Sequence, residues 1–164
     1  MIFVSYGTEK YEFLRLTNAI ERIFNDERFS NESFVMQMGY SFQNISSSNR
    51  IRSFNYCKND EFNQYIKNAE IIITHGGVGN IFTILKNNKI PIVIPRLKKY
   101  DEHVDDHQLQ VVRELSKQKF IIPLEDISSL DDYLINYKSF IAEMVEYKNE
   151  PNLVSEYINE KYLC

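Results

Sequence analysis

Two stretches of this 164-residue chain carry the residue types that chemistry needs. The first is Thr74-His75-Gly76-Gly77-Val78-Gly79-Asn80, a glycine-rich turn between an apolar run and a helical pattern. Open α/β sheets bind ligands at the carboxyl ends of their strands, where helix N-termini present free N–H groups. Glycines there let a diphosphate approach the backbone, and the helix end adds roughly half a positive charge. A tight strand-to-helix connection asks for the same residues, so the turn alone does not separate the two uses. The second stretch is Pro95-Arg96-Leu97-Lys98-Lys99-Tyr100-Asp101-Glu102-His103-Val104-Asp105-Asp106-His107-Gln108. It is dense in charge and follows the next apolar run. A solvated loop is its plainest reading. A metal site is a second one, because His103 and His107 stand four apart among carboxylates. The helical His-Glu-x-x-His arrangement and a distal ligand are both missing, so no metal is expected.

The elements that must position these stretches are legible from periodicity. Residues 2–6, 34–38, 71–74, 90–95 and 120–122 are short apolar runs, with a weaker one at 51–56. Phe13, Leu16, Ile20, Ile23 and Phe24 recur at helical spacing, as do Leu109, Val112 and Leu115, and shorter helices are expected over 60–68 and 78–88. Strands apolar on both faces that alternate with helices predict a parallel sheet covered on both sides. The expected fold is therefore α/β: a single Rossmann-like parallel sheet of about six strands, flanked by helices. Beyond Pro123 the pattern changes to one stripe of Leu130, Tyr133, Leu134, Tyr137, Phe140, Ile141, Met144 and Val145. A second stripe of Leu153, Val154, Tyr157 and Ile158 follows Pro151. The division is thus 1–125 for the sheet domain and 126–164 for C-terminal helices that pack on the domain or on a partner, with 153–158 the segment expected to cross.

Composition narrows the class. A formal net charge of −4 and a pI near 5.4 argue against nucleic-acid binding. Five basic residues and no acidic ones fall between Lys86 and Lys99, a local excess that suits a small anionic ligand. Cys57 and Cys164 have no metal-like spacing, and no apolar run approaches the ~18 residues that span a bilayer. A reducing, cytoplasmic setting is expected. The Gly-x-Gly-x-x-Gly fingerprint is absent, because Gly76, Gly77 and Gly79 are wrongly spaced, and so is the Walker A pattern.

Taken together, Gly7-Thr8 after the first strand, Thr74-His75-Gly76-Gly77, Pro91-Ile92-Val93-Ile94-Pro95-Arg96 and Glu102-His103-Val104-Asp105-Asp106-His107-Gln108 resemble the donor-binding domain of family 28 glycosyltransferases. The likeness covers roughly residues 2–125 and is most specific at 102–108. It extends to small bacterial subunits that build capsular or exopolysaccharide repeat units. It also extends to the catalytic subunit of the eukaryotic UDP-N-acetylglucosamine transferase acting on dolichol-linked sugar. The resemblance implies the C-terminal half of a GT-B enzyme.

It also implies roles. Gly7 and Thr8 approach the diphosphate, while Gly76, Gly77, Gly79 and Asn80, with His75 beside them, surround the phosphates and ribose. Asp106, His107 and Gln108 begin the helix that faces the donor sugar, with His103 and Arg96 in the donor-binding set. Thr83 stands where many relatives place a ribose-binding Glu, and it offers no bidentate carboxylate. The implied reaction moves a hexose, galactose before N-acetylglucosamine, from a UDP-sugar to a lipid-linked saccharide with inversion. No Asp-x-Asp metal motif occurs, so helix amides and the Arg96, Lys98 and Lys99 patch are expected to stabilise the departing diphosphate without metal or other cofactor. The catalytic base is not fixed; it lies on a partner, or His107 supplies it. The implied partner is a membrane-anchored, acceptor-binding subunit that recruits the chain to the cytoplasmic face. A stand-alone nucleotide-binding regulatory module is the competing reading.

Overall fold

The computed structural model describes residues 1–42, 48–144 and 156–163. Six strands form one sheet: β1 (Ile2–Ser5), β2 (Phe34–Gln37), β3 (Ile51–Phe54), β4 (Ile71–His75), β5 (Ile92–Ile94) and β6 (Ile122–Pro123). Their order is β3-β2-β1-β4-β5-β6, and every pairing is parallel. The chain builds outward from β1 to β3, then returns to lay β4 against the other side of β1. The register Ser5↔Gln37 and Ser5↔Thr74 brings three strand ends level beside that reversal.

Helices α1 (Leu14–Phe24), α2 (Asn59–Asn68), α3 (Val78–Lys86) and α4 (His107–Lys117) connect the strands. Alternate strand residues point to opposite faces. Ile2 and Val4 pack with Leu16, Ile20 and Ile23 of α1, and with Leu130, Leu134 and Tyr137 beyond the sheet. Phe3, Val35 and Ile72 pack instead with Ile66 of α2 and Ile84 of α3. Val93 lies with Ile81, Val111, Val112 and Leu115 of α3 and α4. Burial on both faces explains why the strands read as unbroken apolar runs.

The stripe expected from Leu130 to Val145 is two helices, α5 (Leu130–Ile135) and α6 (Tyr137–Glu143), where one continuous pattern had been read. Asn136 sits at the break with φ −95° and ψ 10°, its side-chain amide donating to Asp132 O at 2.9 Å alongside its own N–H at 3.0 Å. The apolar period runs on across this departure from helical geometry. Val145, Leu153 and Val154 lie outside the described residues. Further along, Ile158 is fully buried among Ile81, Val111 and Phe120, and Tyr157 stacks edge-on with Phe120 at 5.6 Å. Of the two placements expected for this segment, on the domain or on a partner, these two residues take the first and cover the domain's own apolar face.

Tyr137 ties α6 to the sheet, its hydroxyl donating to the carbonyl of Ile90 at 2.7 Å in a buried position. Tyr137→Phe strips that carbonyl of its donor, and we expect a loss of about 1–3 kcal/mol. Urea unfolding should show a lower midpoint with an unchanged m-value. An unaltered midpoint would mean that α6 does not dock as described.

Candidate functional site

The glycine-rich turn leaves β4 beside the reversal point of the sheet, and its geometry is set by His75. That ring is 6% exposed. A Cβ built on Gly7 would lie 2.4 Å from the ring, and one on Gly77 would lie 2.3 Å from it. The ring is therefore wedged between two backbones that only glycine allows so close. Gly7 also holds φ +81°, a left-handed conformation that side chains disfavour. Burial, then the charge of Arg96, pushes the His75 pKa down to about 3, so the ring is neutral at physiological pH.

A polar relay crosses the three level strand ends. The Asn80 amide donates to Ser5 Oγ at 2.7 Å, and Ser5 Oγ donates to Gln37 Oε1 at 2.9 Å. Gln37 Nε2 then donates to Gly7 O and Asn55 O, each at 2.9 Å. Next to this relay opens a cavity of about 370 Å³, lined by Thr8, Gln37, Tyr56, Asn59, Phe62, Gly79, Asn80 and Thr83 among others. Gly79 sits in the first turn of α3 with nothing within 4 Å of a built Cβ. Helix amides, a glycine without a side chain and a ring of hydroxyl and amide groups thus face one open space.

The β5–α4 loop is organised differently. The Gln108 side-chain oxygen accepts from Gly76 N at 3.0 Å and from Arg96 N at 3.1 Å. Gln108 is buried, and this oxygen staples the ends of β4 and β5 to the start of α4. A Cβ on Gly76 would press within 2.9 Å of Gln108, so the staple requires glycine there. Arg96 is 1% exposed. Its guanidinium donates to Tyr6 O (2.8 Å), Tyr11 O (2.9 Å), Glu102 O (3.2 Å) and Glu12 O (3.3 Å), and lies over the Phe13 ring. The expectation that Arg96 offers its charge to a diphosphate is corrected: the group is buried and holds the segment after β1. The five basic residues read as one patch also separate, since Lys89 donates to Ala69 O while Lys98 and Lys99 are exposed on the loop after β5.

The description "Glycosyltransferase family 28 C-terminal domain" matches residues 1–134. The chain belongs to this family. UDP-N-acetylglucosamine transferase subunit ALG13 of Candida albicans is 35% identical over 91 residues, which is 56% of this chain and 29% of that protein. Two solved structures share the fold: the glycotransferase of kitacinnamycin (TM-score 0.64, 14% identity) and the glycosyltransferase SnogD from Streptomyces nogalater (TM-score 0.58, 18% identity). The chain matches them over 97% and 92% of its own length and spans 42% and 39% of theirs. The expected fold is borne out: one Rossmann-like sheet, equivalent to half of a GT-B glycosyltransferase.

Within this family 28 domain the residues singled out from sequence fall into two groups. Thr8, Gly79, Asn80 and Thr83 line the cavity, with Gly7, His75, Gly76 and Gly77 shaping the backbone behind it. Thr83 donates to Gly79 O at 2.8 Å, one turn back. His103 and Asp106 stand on the neighbouring loop and His107 and Gln108 open α4, all outside that cavity. Asp106 Oδ1 accepts from Lys98 N at 2.9 Å, while Asp105 accepts from the N–H of His107 at 3.0 Å and lies 3.1 Å from His103 Nδ1. The side chains of Asp106 and His107 are exposed, whereas the Gln108 oxygen is turned inward to the staple. Sequence reasoning missed Gln37, Tyr56, Asn59, Phe62 and Asn63. For Gln37 a signal existed, a lone amide inside the apolar run 34–38; for the others the residue types carry none.

Two measurements check this geometry. Because His75 titrates near 3 when folded and near 6.5 when unfolded, the unfolded state alone takes up its proton between those values. Stability is then full above pH ~6.5 and falls by up to about 1.4 kcal/mol per pH unit as pH drops below it. Urea midpoints at pH 7 and pH 5 should show that slope, and His75→Gln should flatten it. Gly77→Ala drives a methyl into the wedged ring and should destabilise the domain. Gly79→Ala, open to the cavity, should leave thermal stability within about 1 kcal/mol or raise it, since alanine favours the helix.

Proposed function

We propose that this chain is the donor-binding catalytic part of an inverting glycosyltransferase that transfers a hexose from a UDP-sugar to a lipid-linked saccharide. The observation that carries the reading is the cavity at the sheet reversal, where the α3 N-terminus and Gly79 meet Thr8, Asn80 and Thr83. A nucleoside diphosphate needs fixed donors for its phosphates and polar partners for its ribose, and that space presents both. The ribose lies by Thr83 and Asn80, and the diphosphate by the amides of the turn and Thr8. The sugar reaches towards Asp106 and His107 on the adjoining loop. With Arg96 buried, the charge developing on the leaving diphosphate falls to backbone amides and to the exposed Lys98 and Lys99. No metal is required in this scheme.

Galactose is the proposed sugar, in surface polysaccharide assembly. UDP-N-acetylglucosamine is the alternative, favoured by the name of the Candida relative. The Candida relative is named as a transferase subunit. The reading therefore includes a membrane-anchored subunit that holds the lipid-linked acceptor, supplies the base where His107 does not, and brings the chain to the cytoplasmic face of the membrane. Among the described residues, no helix is long and apolar enough to cross a membrane.

Calorimetry should give saturable UDP binding that survives excess EDTA, with NAD and ATP binding far more weakly. A strict Mg²⁺ or Mn²⁺ requirement would falsify the amide-based scheme, and preference for NAD or ATP would favour a regulatory nucleotide module. The chain alone should transfer sugar negligibly to a lipid-linked acceptor, and membranes containing the companion subunit should restore transfer. Robust turnover by the chain alone would remove the need for a second subunit.

A further inference from the structure

A buried ion pair organises the loop that carries Asp106 and leads into His107 of α4. Glu102 is 2% exposed, and both its carboxylate oxygens are used. Oε1 accepts from Arg15 Nε at 3.0 Å, while Oε2 accepts from Arg15 Nη2 at 2.8 Å and from Leu97 N at 3.1 Å. Arg15 Nη2 also donates to Pro95 O at 2.8 Å, and the Tyr100 ring covers the guanidinium at 4.9 Å. The backbone of Glu102 closes the loop on itself, donating to Leu97 O and accepting from Arg96. From Leu97 the path runs one residue to Lys98, whose N–H donates to the Asp106 carboxylate at 2.9 Å. Charge-assisted bonds, linked through the Leu97–Lys98 peptide, thus join α1 to Asp106 just before α4. A bidentate Arg–carboxylate pair fixes direction as well as distance, which a surface loop of this length lacks on its own.

We propose that Arg15 and Glu102 are positioning residues for sugar recognition: the pair fixes residues 97–106 so that Asp106 and His107 meet the hexose of a nucleotide-sugar donor. This rests on the donor-binding reading above and adds two residues to it. Neither residue lines the 370 Å³ cavity proposed for the nucleotide. The pair therefore acts on the sugar end of the donor and leaves the nucleotide end alone. Arg15 reaches the loop from 87 positions earlier in the chain, so neither residue's type betrays the coupling.

The test compares wild type, Arg15→Met, Glu102→Gln, the double variant and Arg15→Lys. Thermal melts are combined with calorimetry against UDP, UDP-galactose and UDP-N-acetylglucosamine. Arg15→Met leaves a buried carboxylate without its partner and should lower the Tm, and the double variant, with no orphan charge, should recover it. Affinity for the UDP-sugar that wild type binds should fall roughly tenfold in both Met-containing variants, with UDP within about twofold of wild type. Arg15→Lys keeps the charge without the fork and should fall between. Return of sugar affinity together with Tm in the double variant would overturn the proposal, leaving the pair a structural one. Parallel losses for UDP and UDP-sugar would overturn it as well. Failure of the donor reading looks different, because wild type would then bind neither ligand class. Hydrogen exchange gives a ligand-free readout: amides of residues 98–106 should exchange faster in the double variant while the sheet does not change. Unchanged loop exchange would overturn the positioning role whatever the ligand.

Discussion

A single side-chain oxygen sets the spacing on which the site depends. Gln108 Oε1 accepts from Gly76 at the end of β4 and from Arg96 at the end of β5. Both N–H groups lie just past the strand ladders and are buried, so each needs an acceptor, and without one each would cost about 1–3 kcal/mol. Supplying both from one residue draws the start of α4 against the glycine-rich turn. It also explains why Gly76 is glycine, since a methyl there would overlap Gln108. The distance between the cavity and the exposed Asp106 and His107 is fixed by this contact.

Arg96 extends the same arrangement to the other side of the sheet end. A buried guanidinium needs partners for its donors, and here four backbone carbonyls from the segments after β1 and β5 take its two terminal nitrogens, while Nε has no partner among the described residues. Burial lowers its pKa to about 10, which still leaves it charged at neutral pH. The segment from Tyr6 to Phe13 therefore closes over a fixed positive charge. Glu102 lies beyond it, and its charge partly offsets that burial while its carboxylate reaches across to α1. Two cations and one carboxylate hold three separate stretches of chain in register.

Most of the sheet was legible because a parallel sheet covered on both faces leaves no polar alternation to mislead the eye. The break at Asn136 was not, since Leu130, Leu134 and Tyr137 keep their apolar period across it. The turn residues Gly76, Gly77, Gly79 and Asn80 were readable from type, as glycine between strand and helix has few uses. The inward use of the Arg96 guanidinium and of the Gln108 side-chain oxygen was not legible, for one common reason. Polar residues in a charged loop look like ligand contacts, yet their burial is decided by Tyr6, Tyr11 and Gly76, which the fold brings from far away in sequence. Sequence type reports what a side chain can do. Only the tertiary neighbours decide which way it faces.

Turning Arg96 inward changes the electrostatics of the cavity as well as its architecture. His75, the other ionisable group at the turn, is held neutral by burial and by the adjacent Arg96 charge. The side chains reaching the cavity from the turn and α3 are the amide of Asn80 and the hydroxyl of Thr83, with Thr8 opposite. The first N–H groups of α3 have no intrahelical acceptor and add a fixed partial positive charge there, which does not titrate. On the donor-binding reading, this is a preorganised field for a leaving diphosphate: its donors are oriented before the bond breaks, so little reorganisation accompanies charge development. A mobile lysine in the same place would bring more charge but would have to be ordered at each turnover. The glycines Gly7, Gly76 and Gly77 exchange side-chain chemistry for backbone proximity, and the neutral His75 wedged between two of them keeps that backbone in place.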